Sequence, residues 1–470
     1  MNGSAGEVTA SEDHQPLWSA PEIAQAVDGV ASVDFSVSGV AFDSREVGTG
    51  DLFIALKGEA ADGHSFLGKA FDAGATGAIV SQPVDHPHVL VKDTAEALQA
   101  LGRAARARMH GKVIGVTGSV GKTSTKEALY AALDRFRPGQ AHRSVKSYNN
   151  HVGVPLSLAR MPRDTLFGVF EMGMNHVGEL SALTALVRPH VAIVTAIAPA
   201  HIEFFESEEA IARAKAEIFE GLESGGIAII PYDSRHYALL RDAAEAQGAR
   251  IISFGQGEGA DVCAVEAVPA QDGGTMVAAR LPEAELCYTV ATPGDHNVLN
   301  SLALLAAVEA VGGDLAAAGL ALAEMPGLPG RGARSRVPAG DGTALVIDES
   351  YNANPLSISA TLKQLGREAA TRRIAVLGAM KELGHASADL HAGLADPIRQ
   401  AKVDMAILVG EEMAPLADRL AGTLALEHVG TADAATQILK ERIHADDAIL
   451  IKGSNSVGLS RVVAALVGGD

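Results

Sequence analysis

The stretch Gly115–Thr125, GVTGSVGKTST, decides how this chain is read. An apolar run, KVIGVTG, leads into it and an Ala/Leu-rich segment follows, so glycines, a lysine and a hydroxyl sit where a strand turns into a helix. A phosphate cradle needs that context, because small residues let backbone N–H groups surround phosphate oxygens at a helix start. The candidate cradle is Gly118, Ser119, Val120, Gly121, Lys122, Thr123 and Ser124, with Lys122 reaching the outer phosphates and Thr123 offering its hydroxyl to Mg²⁺. Five residues separate Gly115 from Gly121, one more than the usual phosphate-loop spacing. An ordinary glycine-rich turn is the competing reading, and the joint presence of strand, glycines, lysine, hydroxyl and helix weighs against it.

Working outward, short β-branched runs alternate with helical segments from Ile114 onward, the pattern of a parallel sheet with crossover helices. The expected strands are KVIGVTG, LFGVFEMG, VAIVTAIAP, GIAIIPYD and RIISFG. The Pro/Gly-rich linker EMPGLPGRGARSR interrupts the pattern, which resumes with TALVIDES, RIAVLGAM, DMAILVG and AILIKGS. Upstream of about Arg108 the chain reads as short strands and turns, SGVAFDSREVGTGDLFIALKG, followed by a helix and strand in HSFLGKAFDAGATGAIV. We therefore expect an α/β protein of three domains, 1–108, 109–326 and 327–470, the last Rossmann-like.

Composition agrees with a globular enzyme: hydrophobic residues make up 47% of the 470 and charged ones 20%. The net charge of −19 argues against nucleic acid or an anionic membrane as partner. The two cysteines, Cys263 and Cys287, are too few for a disulfide framework or a zinc site and read as reduced thiols of a cytoplasmic protein. The polar, acidic start MNGSAGEVTASEDHQPLW lacks the features of a secretory signal, and no apolar run approaches membrane-spanning length.

A phosphate loop serving chemistry needs a metal site, and ligands in an open α/β sheet gather beyond the carboxyl ends of strands. Glu171, ending LFGVFE, and His201, after VAIVTAIAPA, meet that condition and form a candidate Mg²⁺ set with Thr123. Lys215, in ARAKAEIFEGL, reads from pattern alone as an exposed helical lysine. Asn297 and Asn300, at the start of the helix in GDHNVLNSLALLAA, can cap it or hydrogen-bond a nucleobase, capping being the commoner role. Asp348 ends the strand TALVID, and the turn ESYNANP behind it, with Tyr351 and Asn352, carries more amides than a helix start requires. Arg331 in the linker either contacts phosphate or is a solvated charge.

Taken in order, GVTGSVGKTST, NNHVGVPLS, EMGMNHVGEL, APAHIEFF, ARAKAEIF, GDHNVLNSLA, PGRGARSR and IDESYNANP resemble the Mur ligases, ATP-dependent amide-forming enzymes of peptidoglycan precursor synthesis. The family's loop runs G-x-x-G-x-x-G-K-[ST], which accounts for the spacing of Gly115. SYNANP resembles the members that add D-alanyl-D-alanine to a UDP-N-acetylmuramoyl-tripeptide, and FDSREVGTGDLFIALKGEAADGHSF resembles their uridine-nucleotide domain. The resemblance implies ATP and Mg²⁺ as cofactors, those two substrates as partners, and a monomer that closes its domains.

It also assigns roles. Ser44 and Arg45, with Lys57, Asp62, Gly63 and His64, would meet the UDP-sugar, while Asn149 and Asn150 would line the substrate side of the central domain. Asn297 and Asn300 would hold adenine, and Arg331, Asp348, Tyr351 and Asn352 would meet the nucleotide from the last domain. Lys122, Glu171, His201 and Lys215 would be catalytic; some members carbamylate the lysine matching Lys215 to support a second Mg²⁺, which sequence leaves open. Ala379 and Asn455 stand where many relatives have aspartate and arginine, so contacts to the incoming dipeptide do not carry over. The rivals are another amide ligase of the superfamily, a phosphate-loop switch or ATPase, and a non-catalytic binding protein.

Overall fold

The computed structural model describes residues 15–58, 61–199, 202–270 and 273–468. It divides into two compact units, Met1–His110 with Val152–Thr165, and Gly111–His151 with Leu166–Asp470. Among the described residues no helix is long and apolar enough to cross a membrane.

The first unit holds a five-stranded sheet in the order Val30–Ala31, His88–Leu90, Gly77–Val80, Asp51–Ile54, Gly39–Ala41, parallel except for the first pair. Leu52, Phe53 and Ile54 and the strand Gly77–Val80 are apolar and buried on both faces of the sheet, as a covered parallel sheet demands. The helix Gly153–Ala159, GVPLSLA, lies within the stretch read from sequence as the central domain, yet it packs in this unit. All seven of its residues are buried, and it meets the helix Thr94–Arg108 closely enough that a Cβ on Gly102 would come within 3.1 Å of Pro155. Trp18 Nε1 donates to the Ala159 carbonyl at 2.9 Å and Arg160 Nε to that of Val40 at 2.5 Å, tying the returning segment down. Hydrophobicity on every side of so short a helix is the sequence sign that it must be enclosed.

The second unit contains two sheets. The larger has nine strands in the order Glu285–Val290, Thr275–Arg280, Val262–Pro269, Arg250–Gly255, Ile227–Pro231, Val191–Val194, Lys112–Thr117, Phe167–Glu171, Ala141–Arg143. Its first two pairings are antiparallel and the other six parallel. Lys112–Thr117 is therefore flanked by Phe167–Glu171 and Val191–Val194, so that their carboxyl ends open together, where the strand order reverses. The smaller sheet runs Ala333–Ala339, Gly342–Glu349, Asp447–Lys452, Arg372–Gly378, Met405–Val409, Ala425–Val429, parallel after an antiparallel first pair. Helices cover both of its faces and produce two apolar cores, one built on Ile347, Leu377 and Leu450 and the other on Val346, Val376 and Ile451.

Candidate active site

The phosphate loop takes the path its glycines permit. Gly118 has φ +149° and Gly121 φ +87°, backbone that residues with a Cβ rarely adopt, and Gly121 caps the helix Lys122–Phe136. A Cβ on Gly118 would fall 1.9 Å from Thr195 Oγ1, and one on Gly121 would fall 2.7 Å from Asn300 Oδ1. Thr195 Oγ1 donates to the carbonyls of Thr117 at 3.2 Å and Val120 at 2.5 Å, and Ser119 exchanges main-chain and hydroxyl bonds with Ala196 and Ala198. The loop is thus fastened to the neighbouring strand's exit while its helix end stays open.

Lys122 curls back to donate to the Gly118 carbonyl at 2.8 Å. Burial lowers its pKa, and the Arg331 charge pushes the same way while Glu171 opposes it. Thr123 Oγ1 donates to Glu171 Oε2 at 2.9 Å, and Asn149 Nδ2 donates to Glu171 Oε1 at 2.7 Å. Glu171 is 1% exposed and Thr123 6%, so a carboxylate and a hydroxyl, both hard oxygen donors suited to Mg²⁺, face each other out of bulk water. His201 lies outside the described residues, and among the described residues no group of three or more His, Cys, Asp or Glu side chains comes together as a metal site.

A cleft of about 430 Å³ connects this cluster to the second sheet of the same unit. Its lining brings together Ser119–Ser124, Asn149 and Glu171, the asparagines Asn297 and Asn300, and Arg331, Tyr351 and Asn352. The Arg331 guanidinium stacks 4.1 Å from the Tyr351 ring, and its Nη2 donates to Ser147 Oγ at 3.4 Å. Asn297 Nδ2 donates to the Pro293 carbonyl at 3.0 Å, and Gly294 is the residue that starts the helix Asp295–Ala310, without a side-chain cap. Of the two readings open for these asparagines, capping is not the one seen, and both residues line the cleft.

Two residues depart from their sequence expectation. Lys215 is 2% exposed rather than solvated, and burial, helped by the Lys122 charge, holds its amine well below the usual lysine range. Asp348 turns away from the cleft: its Oδ2 accepts the Gly330 N–H at 2.7 Å and its Oδ1 the Ser350 N–H and hydroxyl at 3.0 and 2.6 Å. It fastens the linker and the turn that present Arg331 and Tyr351.

In the first unit Asp62 accepts the His64 N–H at 3.0 Å and pairs with His64 Nδ1 at 2.6 Å, leaving Nε2 to accept from Ser81 N–H at 2.9 Å. Gly63 is required there, since a Cβ would fall 2.6 Å from the Leu56 carbonyl oxygen. Lys57 bridges to Asp62 through the main chain, and Arg45 is exposed and forks onto Asp43. Ser44 is half-buried beside that fork, and Asn150 is exposed next to Asn149.

Sequence reasoning passed over several cleft residues. His296, Glu349 and Lys452 line it; Lys452 is 2% exposed and donates to Glu349 Oε2 at 3.2 Å and to the Asn352 carbonyl at 3.0 Å. Burial lowers the His296 pKa. A second cavity of about 340 Å³ adjoins Asn352 and Asn354 and is closed by Lys381, Glu382, Leu383, Ser454, Asn455 and Ser456. His391, fully buried, accepts the Met380 N–H through Nε2 at 2.9 Å while Nδ1 donates to the Ser387 carbonyl at 2.7 Å, which fixes the wall that Lys381 begins.

Comparison with known proteins agrees with this geometry. Family models described as the Mur ligase middle domain, the Mur ligase glutamate ligase domain and the Mur ligase family catalytic domain match residues 116–308, 334–455 and 36–108. The chain is 34% identical over 448 residues to a Synechocystis protein named UDP-N-acetylmuramoyl-tripeptide--D-alanyl-D-alanine ligase, covering 93% of each chain. It is similar to a crystal structure of MurF from Acinetobacter baumannii with a TM-score of 0.83 at 31% identity, covering 96% of this chain and 99% of that one. A Thermotoga maritima MurF ligase in complex with ADP gives a TM-score of 0.76 at 26% identity, covering 91% and 96%. With a phosphate loop and a linker arginine lining one cleft, and with family models covering most of its length, the chain belongs to the Mur ligase family.

Proposed function

We propose that the protein is an ATP-dependent amide ligase that joins D-alanyl-D-alanine to the terminal carboxylate of a UDP-N-acetylmuramoyl-tripeptide in the cytoplasm. The observation that carries this reading is the one cleft lined by Ser119–Ser124 of the loop together with Arg331, Tyr351 and Asn352. The relatives named for this reaction span the same length of chain.

Two anions, a triphosphate and a carboxylate, must meet in line while charge grows on the transferred phosphoryl group. Loop N–H groups and the Lys122 ammonium would take the outer phosphates, and Arg331, held over Tyr351, would add its charge to the same cleft. The tripeptide carboxylate oxygen attacks the γ-phosphorus and ADP leaves; the amine nitrogen of the dipeptide then attacks the acyl carbon, and phosphate departs with the former carboxylate oxygen. Thr123 and Glu171, with His201, would hold Mg²⁺, which when bound supplies further charge neutralisation. Asn297 and Asn300 would hold adenine. The Asp348 carboxylate would act through the turn it fastens. Lys215, buried within reach of the Lys122 charge, would support the same site.

Asn149 and Asn150 would face the tripeptide, and Ser44, Arg45, Lys57, Asp62, Gly63 and His64 would hold the UDP-sugar, with functional domains dividing near residues 109 and 327. The cavity beside Asn352 and Lys381 is the acceptor's place in this reading, its size and polar lining suiting a dipeptide. The test is phosphate release from ATP with UDP-N-acetylmuramoyl-tripeptide, with and without D-alanyl-D-alanine. Release that depends on the dipeptide is expected; release indifferent to it, or none with both present, refutes the assignment.

A further inference from the structure

Lys126 lies one turn beyond the phosphate loop on the helix Lys122–Phe136 and is 0% exposed. A buried ammonium is costly unless its donors are used, and an apolar residue of equal length would fill the same space without that cost. Its Nζ donates to the Ser144 carbonyl at 2.9 Å and the Lys146 carbonyl at 2.5 Å, and pairs with Glu127 Oε1 at 2.7 Å. Lys146 has φ +53°, in the left-handed region that side-chain-bearing residues avoid, so one of the pinned carbonyls belongs to a strained residue.

The pinned segment wraps Glu171. Ser144 Oγ accepts the Glu171 N–H at 3.2 Å, Asn149 Nδ2 reaches Glu171 Oε1 at 2.7 Å, and the Asn149 carbonyl accepts the Gly173 N–H at 2.8 Å. Between them Ser147 Oγ lies 3.3 Å from Thr123 Oγ1 and within reach of Arg331. One buried amine thus pins, at Ser144 and Lys146, the segment that makes these contacts, which the sheet also holds through the Ser144 N–H to the Val169 carbonyl at 3.0 Å.

We propose that Lys126 is a positioning residue of the cleft: its ammonium holds Ser144–Asn149 in the strained path from which Ser147 and Asn149 orient Thr123 and Glu171 for the cation. This rests on the reading of Thr123 and Glu171 as the Mg²⁺ site. Lys126→Met keeps the length and removes the charge. Calorimetry of ADP binding across a Mg²⁺ titration is the readout. Metal-free ADP affinity stays within about twofold of wild type, while the Mg²⁺ needed for half-maximal enhancement rises by about 10–100-fold, the usual effect of losing a residue that orients a metal ligand. Asn149→Ala moves it in the same direction, and the double variant moves it no further than the larger single change, because both act through one segment. Lys146→Gly, which adopts that backbone without strain, recovers part of the shift in the Lys126→Met background. Lys126→Gln serves the same comparison where the methionine variant does not fold.

An unmoved Mg²⁺ requirement, additive shifts with Asn149→Ala, or an equal loss of metal-free ADP binding overturns the proposal. Wild-type protein with no Mg²⁺ response overturns the metal reading and this proposal with it, whereas a wild-type response with an unmoved variant overturns the proposal alone.

Discussion

Replacing Lys215 by methionine tests the electrostatics of the site in a way that activity does not. The amine is 2% exposed, and burial together with the Lys122 charge lowers its pKa far below that of a free lysine. In the unfolded chain the same amine stays protonated up to about pH 10.4. Between the folded and unfolded values the unfolded state therefore binds one more proton, so wild-type stability rises with pH by about 1.4 kcal/mol per pH unit. Lys215→Met, of similar length, has no such proton and lacks the slope. It is expected to unfold at higher temperature than wild type near neutrality, with the gap closing as pH rises. With an unfolding entropy of about 2.1 cal/mol/K per residue, a unit of this size shifts by about 1–2 °C per kcal/mol, so the gap narrows by about 2 °C per pH unit. Differential scanning calorimetry from about pH 7 to about pH 10, in metal-free buffer stripped of CO₂ so that the amine stays unmodified, measures it. A melting difference independent of pH across that window would mean that Lys215 is charged when folded, and the account of the buried amine fails.

Lys122→Ala should abolish turnover while leaving UDP-substrate affinity, measured by calorimetry, largely intact; loss of both points to misfolding instead. Gly118→Ala places a methyl 1.9 Å from Thr195 Oγ1 at φ +149°. It should weaken ADP binding by at least about tenfold, or 1.4 kcal/mol, and unchanged affinity would mean the loop is not the cradle. His391→Leu leaves the buried Met380 N–H without its acceptor at a cost of about 1–3 kcal/mol. It should raise the KM for D-alanyl-D-alanine but not for ATP, and equal changes in both argue against the acceptor reading of the cavity by Lys381. Burial lowers the His391 pKa, so its unfolded form binds more protons as pH falls below about 6.5. Wild-type stability should decline there by more than that of His391→Leu, and parallel acid melting curves contradict this.

The phosphate loop was legible because its signal is local: a strand, φ-permissive glycines, a lysine and a helix start lie within a few residues. Glu171 was legible for a related reason, since an acid ending an apolar run must emerge at the carboxyl edge of the sheet. Lys215 and Lys126 were not. ARAKAEIF and KTSTKEAL carry lysines in the spacing of ordinary solvated helices, and their burial is decided by segments distant in sequence. Asp348 shows the same limit from the other side, because the end of TALVID fixes its place but not that the Gly330 and Ser350 amides draw its carboxylate inward. The antiparallel strands Val262–Pro269, Thr275–Arg280 and Glu285–Val290 also escaped notice, their half-exposed alternation being weaker than the apolar runs beside them. Helix Gly153–Ala159 was readable as buried, but not as belonging to the first unit.

The central claim is that the cleft delivers the γ-phosphoryl group of ATP to a carboxylate. Supplying UDP-N-acetylmuramoyl-tripeptide with ¹⁸O in its terminal carboxylate, together with ATP and D-alanyl-D-alanine, tests it most directly by mass spectrometry of the released phosphate. The account predicts one ¹⁸O per phosphate formed, carried there through the acyl phosphate. Phosphate without label, in a reaction that still forms the amide, contradicts it.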